Sequence, residues 1–258
     1  MNINITDQYL FLAFWLSFTR WFAVLMQLPI FDNLAVPNIL KILCSFVISW
    51  AFFDMNKIYL LNDLKFYGLD SLWYLTAVHG MVGLFIGFMV KSMMTLFVAA
   101  GNIVTQQVGF ASVSYFDPTQ MTQVGPFEKL FQWVMVIMVL TSGALIPMFK
   151  GIIGSFATVN ALHLEKLITS PQYVTEMFKS IFQSAIMLSM PLILANLLMN
   201  LVFGIVARAI PQMNVLMVSF VVNIGMGLII FLSISNEFFE VSFELYQKQL
   251  ANWFNYFT

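Results

Sequence analysis

Charged side chains are scarce in this chain: they make up 9% of its 258 residues, whereas ordinary soluble domains carry about 25%. Hydrophobic residues make up 60%, and the mean hydropathy is +0.88. This composition predicts an integral membrane protein. The net charge of −1 leaves no excess of basic residues to bind a nucleic acid, so we expect no nucleic-acid partner. We expect membrane lipid to surround the chain.

Residues that bind metals or carry out catalysis are also rare. One cysteine and two histidines occur, so no internal disulfide can form, and no paired ligand spacing typical of a metal site is present. No glycine motif of a nucleotide site occurs. His79 has no carboxylate in its own segment to orient it as a base. We therefore expect no enzymatic activity, cofactor or metal, and interpret His79 as a packing or hydrogen-bonding residue.

Six hydrophobic segments approach the length of about 20 residues that crosses a bilayer. They are residues 8–31, 37–53, 71–108, 130–149, 178–207 and 212–235. We predict polar loops at 54–70, 117–129 and 163–176, and no cleavable signal peptide, because no basic region precedes the first apolar run. The third segment exceeds one crossing and must kink, tilt or extend beyond the membrane, and Pro191 predicts a kink in the fifth. The predicted fold class is an all-α integral membrane protein built of kinked long hydrophobic helices and helical hairpins.

The fifth and sixth segments are predicted to form a helical hairpin around an isolated arginine. Arg208 is the only charged residue between Lys179 and Glu237. A helix-breaking proline and two amides follow it: Pro211, Gln212 and Asn214. In the last helical turn, a guanidinium would meet the negative end of the helix dipole. Three interpretations stay open: Arg208 reaches partners in its own chain or a neighbouring subunit, extends to the membrane interface, or faces a transport pathway.

Acidic residues are missing from the predicted spanning segments, because Asp32 and Asp117 lie at segment ends and the others fall in loops or near the termini. A proton-coupled transporter usually carries carboxylates within its spans. Their absence weakens the interpretation of the chain as a stand-alone small-solute transporter or channel. That function nevertheless remains the alternative.

Two further patterns predict helix packing. Gly83 and Gly87 stand four residues apart, a spacing that permits close approach of another helix. Residues 236–258 are predicted to form a separate C-terminal amphipathic helix, following a membrane domain at 1–235. Its apolar stripe consists of Phe239, Phe243, Tyr246, Leu250, Trp253 and Phe257. Such a helix would lie on a membrane surface or pack on a partner.

A polar and aromatic stretch, residues 106–126, interrupts the hydrophobic pattern. It is either an external loop or a re-entrant segment that lines or closes a conduit. Irregular backbone is tolerated at membrane depth only where it is buried in protein or faces a cavity. Both interpretations remain open from the residues alone.

Three stretches, taken in order and spacing, resemble the FliR family of flagellar type III export-gate proteins, which is related to the SctT family of virulence type III secretion. The first is Pro29 followed by Val36-Pro37 and a basic, apolar helix. The second runs from Gly101 through Gln107-x-Gly109 to Asp117-Pro118 and Pro126. The third is Arg208-x-x-Pro211-Gln212-x-Asn214, with Pro191 before it.

The resemblance implies a non-enzymatic export-gate subunit in the bacterial inner membrane, within the flagellar basal body. Its partners would be FliP and FliQ, together with FlhB and FlhA, and its substrates unfolded flagellar rod, hook and filament proteins. A plug-like loop would occupy residues 109–126, with closure provided by Phe110, Tyr115, Phe116, Asp117, Pro118 and Met121. The hairpin and assembly residues would be Arg208, Pro211, Gln212, Asn214, Gly83 and Gly87.

Overall fold

The computed structural model describes residues 5–28, 31, 37–117, 122–159, 161, 171–212 and 214–257. Within these ranges the chain forms seven α-helices and one short β-hairpin. The helices are α1 (Ile5–Gln27), α2 (Asn38–Tyr67), α3 (Leu72–Val108), α4 (Pro126–Thr141), α5 (Leu145–Thr158), α6 (Pro171–Ala209) and α7 (Val215–Phe257). The antiparallel strands are β1 (Tyr115–Asp117) and β2 (Thr122–Val124), and 3₁₀ turns occur at Leu69–Ser71 and Phe110–Val113. The predicted all-α fold is confirmed.

Five of these helices are long and apolar enough to cross a membrane. The candidate spans are Gln8–Gln27, Asn38–Tyr67, Leu69–Val108, Val174–Ala209 and Met217–Asn252, and the third includes the 3₁₀ turn before α3. α4 and α5 together pass the same test as one broken span. At 1.5 Å per residue α3 is about 55 Å long, well beyond the roughly 30 Å of a hydrocarbon core.

The polar loop predicted at 54–70 is wrong, because α2 continues through most of this stretch. Tyr67 is its last residue, and Gly68 caps its C-terminal end. Helical periodicity separates the polar residues of this stretch by face. Asp54 pairs with Lys57 at 2.7 Å on the exposed side of the helix. The opposite face is buried and includes Asn56, Leu60 and Asp63. A carboxylate therefore lies inside a candidate span, contrary to the expectation that the spans hold none.

The fourth predicted segment is two helices rather than one. α4 ends at Thr141, and α5 begins at Leu145. Gly143 lies between them with φ 72°, a left-handed conformation that glycine adopts without steric cost. The loop predicted at 117–129 is shorter than expected, since β2 occupies part of it and α4 begins at Pro126. Helix α6 likewise begins at Pro171, inside the loop predicted at 163–176.

The last two helices extend further than predicted. α6 is assigned without interruption through Pro191, so the kink expected there stays a prediction. α7 runs unbroken from Val215 to Phe257. The C-terminal amphipathic helix is therefore not a separate element, because residues 236–257 continue the sixth hydrophobic segment without a break.

The chain divides into two compact units. Unit 1 comprises Met1–Met93, Ser142–Glu176 and Gln249–Thr258, and unit 2 comprises Met94–Thr141 and Met177–Lys248. In unit 1, α1 and α2 form an antiparallel hairpin, in which the Phe14 ring contacts Phe53 and the Phe18 ring contacts Phe46. In unit 2, the Phe131 ring is fully buried against Phe231 and Phe238 of α7.

Candidate functional site

The plug-like segment, residues 109–126, begins where α3 ends. Gly109 has φ 90° and ψ 9°, which turns the chain out of the helix at little steric cost. A 3₁₀ turn follows, and then Tyr115 pairs with Val124 across the short β-hairpin. The Tyr115 and Phe116 side chains are 45% and 62% exposed. Asp117 occupies the end of β1, whereas Pro118 and Met121 lie outside the described residues.

The far end of the segment is fixed to α3 by close packing and hydrogen bonds. A Cβ atom added at Gly125 would stand 2.5 Å from Thr105 Cγ2, so this position has room only for glycine. The Glu128 carboxylate accepts hydrogen bonds from the Gly125 backbone N–H, at 3.4 Å, and from the Asn102 amide, at 3.3 Å. The first of these contacts is half of a capping box at the start of α4.

The near end of the segment is fixed to α7. A Cβ added at Gly227 would stand 2.9 Å from Val108 Cα, so the two helix backbones approach closely. The Phe110 ring lies 5.8 Å from Phe127, which in turn lies 5.0 Å from Phe231. Phe110 therefore belongs to an aromatic base beneath the hairpin, whereas Tyr115 and Phe116 are its exposed aromatic residues.

Four amide side chains form a hydrogen-bonded series in unit 2, which we call the amide chain: Gln107, Asn196, Asn200 and Asn223. Asn196 Nδ2 donates to Gln107 Oε1 at 2.7 Å, and Asn200 Nδ2 donates to Asn196 Oδ1 at 3.1 Å. Asn223 Nδ2 donates to Asn200 Oδ1 at 3.4 Å. A groove of about 360 Å³ lies along the series, with aliphatic walls provided by Ile193, Leu197 and Leu201. Sequence reasoning missed this series, since its members come from three helices.

The tip of the α6–α7 hairpin carries the residues that the sequence singled out there. Arg208 lies in the last turn of α6 and is exposed. Pro211 and Gln212 form an exposed turn. Asn214 caps α7, because its side-chain oxygen accepts a hydrogen bond from the Met217 N–H at 3.4 Å. Among the described residues, Arg208 has no acidic neighbour within ion-pair distance.

Unit 1 contains a fully buried arginine. Arg20 Nη1 donates to the Ser155 carbonyl and Nη2 to the Val159 carbonyl, each at 2.9 Å. These acceptors lie at the C-terminal end of α5, where the helix dipole favours a cation, and the Ser155 carbonyl also accepts the Val159 N–H. The guanidinium also lies 4.3 Å from the centre of the Phe156 ring. Arg20 therefore fastens α1 to α5 rather than extending to the membrane surface.

A buried carboxylate and imidazole lie in the same unit. His79 Nε2 of α3 lies 3.4 Å from Asp63 Oδ2 of α2. The same carboxylate oxygen accepts a hydrogen bond from the Ala161 N–H at 3.3 Å. His79 is thus buried and packs within unit 1. The Asp63 carboxylate lies beside it, although the sequence predicts a loop at Asp63.

Gly83 and Gly87 lie where α3 crosses α1. A Cβ added at Gly83 would stand 2.6 Å from the Arg20 carbonyl oxygen, and one added at Gly87 would stand 2.7 Å from Gln27 Cβ. The two glycines permit backbone contact between these helices within the chain itself.

The described residues contain no group of three or more histidine, cysteine, aspartate or glutamate side chains that could hold a metal ion. The polar contacts instead fix helix ends and helix pairs. The arrangement is suited to holding a closing segment on a rigid base.

Comparison with known proteins identifies close parallels over most of the chain. The family model described as "Bacterial export proteins, family 1" matches residues 11–248. The flagellar biosynthetic protein FliR of Aquifex aeolicus is 26% identical over 89% of this chain and 87% of its own length. FliR of Bacillus subtilis is 25% identical over 90% and 89%. The surface presentation of antigens protein SpaR of Shigella flexneri is 23% identical over 86% and 85%.

Proposed function

Because the chain belongs to the bacterial export proteins, family 1, we propose that it is a non-enzymatic subunit of the flagellar type III protein export gate. In this role it helps to form the inner-membrane conduit for unfolded rod, hook and filament proteins, at the flagellar basal body. The observation that carries the proposal is the family match over residues 11–248, joined to a plug-like segment fixed at both ends. The flagellar assignment is supported by the FliR relatives.

The plug-like segment closes the conduit at rest. Its aromatic base, which includes Phe110, holds the hairpin in place. The exposed side chains of Tyr115 and Phe116 provide apolar surface for closure, together with Asp117, Pro118 and Met121. Irregular backbone at membrane depth requires protein or a cavity around it, which suits a segment inside a conduit.

The α6–α7 hairpin provides surface for assembly. In the most apolar windows of α6 and α7, this chain buries only 6% and 11% of the residues. Lipid can cover aliphatic surface, but it cannot satisfy amides or a guanidinium. Neighbouring subunits therefore contact this hairpin, with Arg208, Pro211, Gln212 and Asn214 at its tip. FliP and FliQ are the proposed neighbours, and FlhB and FlhA are further partners in the same apparatus.

A strain that lacks this protein tests the assignment. It should be non-motile and should fail to export hook and filament proteins, and a plasmid copy of the wild-type chain should restore both. Normal motility in the deleted strain would overturn the flagellar role. Loss of virulence-protein secretion with motility intact would place the chain with the SpaR-like relatives instead.

A second experiment tests the closing role. Removing residues 115–124 and joining Ser114 to Gly125 deletes the β-hairpin and leaves the base in place. We expect small solutes to leak through the assembled gate, measured as ion conductance. Phe116→Ser removes one exposed aromatic ring of the hairpin and should also raise the conductance. Trp73→Ser, at an exposed aromatic residue of unit 1, is its matched control. Unchanged conductance in the deletion variant would contradict the closing role.

A stand-alone small-solute transporter is the second candidate, and one observation favours it: Asp63 and His79 lie together inside candidate spans. Intramembrane carboxylates and histidines occur in proton relays. Purification under mild conditions separates the two functions. Recovery of a large complex with FliP and FliQ supports the gate, whereas a monomer or dimer with substrate-dependent flux supports the transporter.

A further inference from the structure

The amide chain ends at the residue that lies two positions before the plug-like segment. Gln107 occupies the last turn of α3, and Gly109 begins the turn into the segment. The Asn196 amide of α6 donates to Gln107 at 2.7 Å, which is the shortest hydrogen bond of the series. The base of the segment is therefore hydrogen-bonded to α6 through the Gln107 side chain.

The surroundings make this contact specific. The groove beside it has aliphatic walls, and α6 carries no charged residue between Lys179 and Arg208. Neither aliphatic side chains nor lipid tails can replace an amide as a hydrogen-bond partner. Gln107 and Asn196 therefore favour each other over the aliphatic side chains around them. Asn200 orients Asn196 by donating a hydrogen bond to its side-chain oxygen. Asn223 orients Asn200 in the same way.

We propose that Asn196 is a positioning residue for the plug-like segment, acting through Gln107. The hydrogen bond sets the position of the last turn of α3 relative to α6, and thereby the direction in which the segment leaves Gly109. A displacement of α6 within unit 2 breaks this contact and shifts the base of the segment. This inference rests on the proposed closing role of the segment.

Substitutions that change only the reach of the amides test the proposal in the assembled gate. Gln107→Asn shortens one side chain by a methylene and separates the two amides. Asn196→Gln lengthens the other, and the double variant restores the combined length. Gln183→Asn is the matched control, since Gln183 is an exposed glutamine of α6 in the same unit and is not a member of the amide chain. Ion conductance and the yield of assembled complex are measured for each.

We expect Gln107→Asn to raise the resting conductance about fivefold, the change in population that follows from loss of one ordinary hydrogen bond. Assembly yield should stay at the wild-type level. The double variant should return the conductance toward the wild-type value, and Gln183→Asn should leave it unchanged. A purely structural contact would lower the yield without raising conductance per complex.

Four outcomes decide the matter. Wild-type conductance in Gln107→Asn and in Asn196→Leu overturns the positioning role. Equal leakage from Gln183→Asn and Gln107→Asn also overturns it, because the effect would then not depend on the contact between Gln107 and Asn196. If the deletion of 115–124 leaks but Gln107→Asn does not, only this inference fails. If the deletion does not leak either, the closing role itself fails.

Discussion

The Asp63 carboxylate lies 3.4 Å from the imidazole of His79, and each of these side chains is 1% exposed. The two residues belong to α2 and α3, and the Ala161 N–H donates to the same carboxylate oxygen. Three parts of unit 1 thus meet at one carboxylate. A buried group of this kind stabilises the fold only while its partners remain in place.

Asp63→Leu should destabilise unit 1, because the Ala161 N–H loses its acceptor and is left without a partner. We expect a loss of about 1–3 kcal/mol in the free energy of unfolding. Asp63→Asn should cost clearly less, since its amide oxygen can still accept that hydrogen bond. Thermal unfolding of the purified chain measures both. Asp54→Leu, at an exposed aspartate of the same helix, is the control and should change little.

Arg20→Met should lower the free energy of unfolding by about 1–3 kcal/mol, the usual cost of leaving a buried acceptor without its donor. The Val159 carbonyl would lose the Arg20 donor, and the Ser155 carbonyl would keep only the Val159 N–H. Arg20→Lys should recover only part of the loss, because one ammonium cannot reproduce the planar fork. Arg208→Met provides the matched comparison at an exposed arginine, where the isolated chain should keep its unfolding temperature. Equal losses at both arginines would contradict the buried role of Arg20.

Gly83→Ala should destabilise the contact between α1 and α3. The new Cβ would stand 2.6 Å from the Arg20 carbonyl oxygen, so the helices must separate. We expect a cost of about 1–3 kcal/mol. Gly154→Ala is the control, since nothing lies within 4 Å of its added Cβ and alanine favours a helix. An unfolding temperature for Gly83→Ala at or above that of Gly154→Ala would show that this close approach is not required.

Arg208→Ala should impair assembly more than it alters conductance. The guanidinium is exposed at the end of α6, where a neighbouring subunit can supply an acceptor. Co-purification of FliP and FliQ with a tagged chain measures the effect, and Lys179→Ala, at another exposed cation of α6, serves as the comparison. A complete complex with changed ion selectivity would instead place Arg208 in the transport pathway.

Local chain chemistry was the part of the structure most accessible to sequence reasoning. Pro211 biases the residue before it away from helical backbone, so the helix end close to Arg208 was predicted correctly. The glycines and prolines around the plug-like segment likewise predicted non-helical backbone there. The pairing of Tyr115 with Val124 was not predicted, because strand register depends on contacts that short polar segments specify weakly.

The interior polar groups were harder to predict. Asp63 was placed in a loop because several charges surround it in the sequence. Its helical phase was nevertheless visible: Ser45, Ser49, Asn56 and Asp63 follow steps of one and two turns and share a buried face. The amide chain offers no such signal, since Gln107, Asn196 and Asn223 belong to different helices. Only the tertiary structure brings these residues together.

Fixing both ends of the plug-like segment also has an entropic consequence. Gly109 and Gly125 hold the two ends of the segment in place, so the chain between them must bridge a constant span as a closed loop. The entropy of such a loop varies only logarithmically with its length, and doubling that length costs about 0.6 kcal/mol. Insertions at the tip should therefore be tolerated far better than single changes at the base, which makes the tip a suitable place for a reporter group.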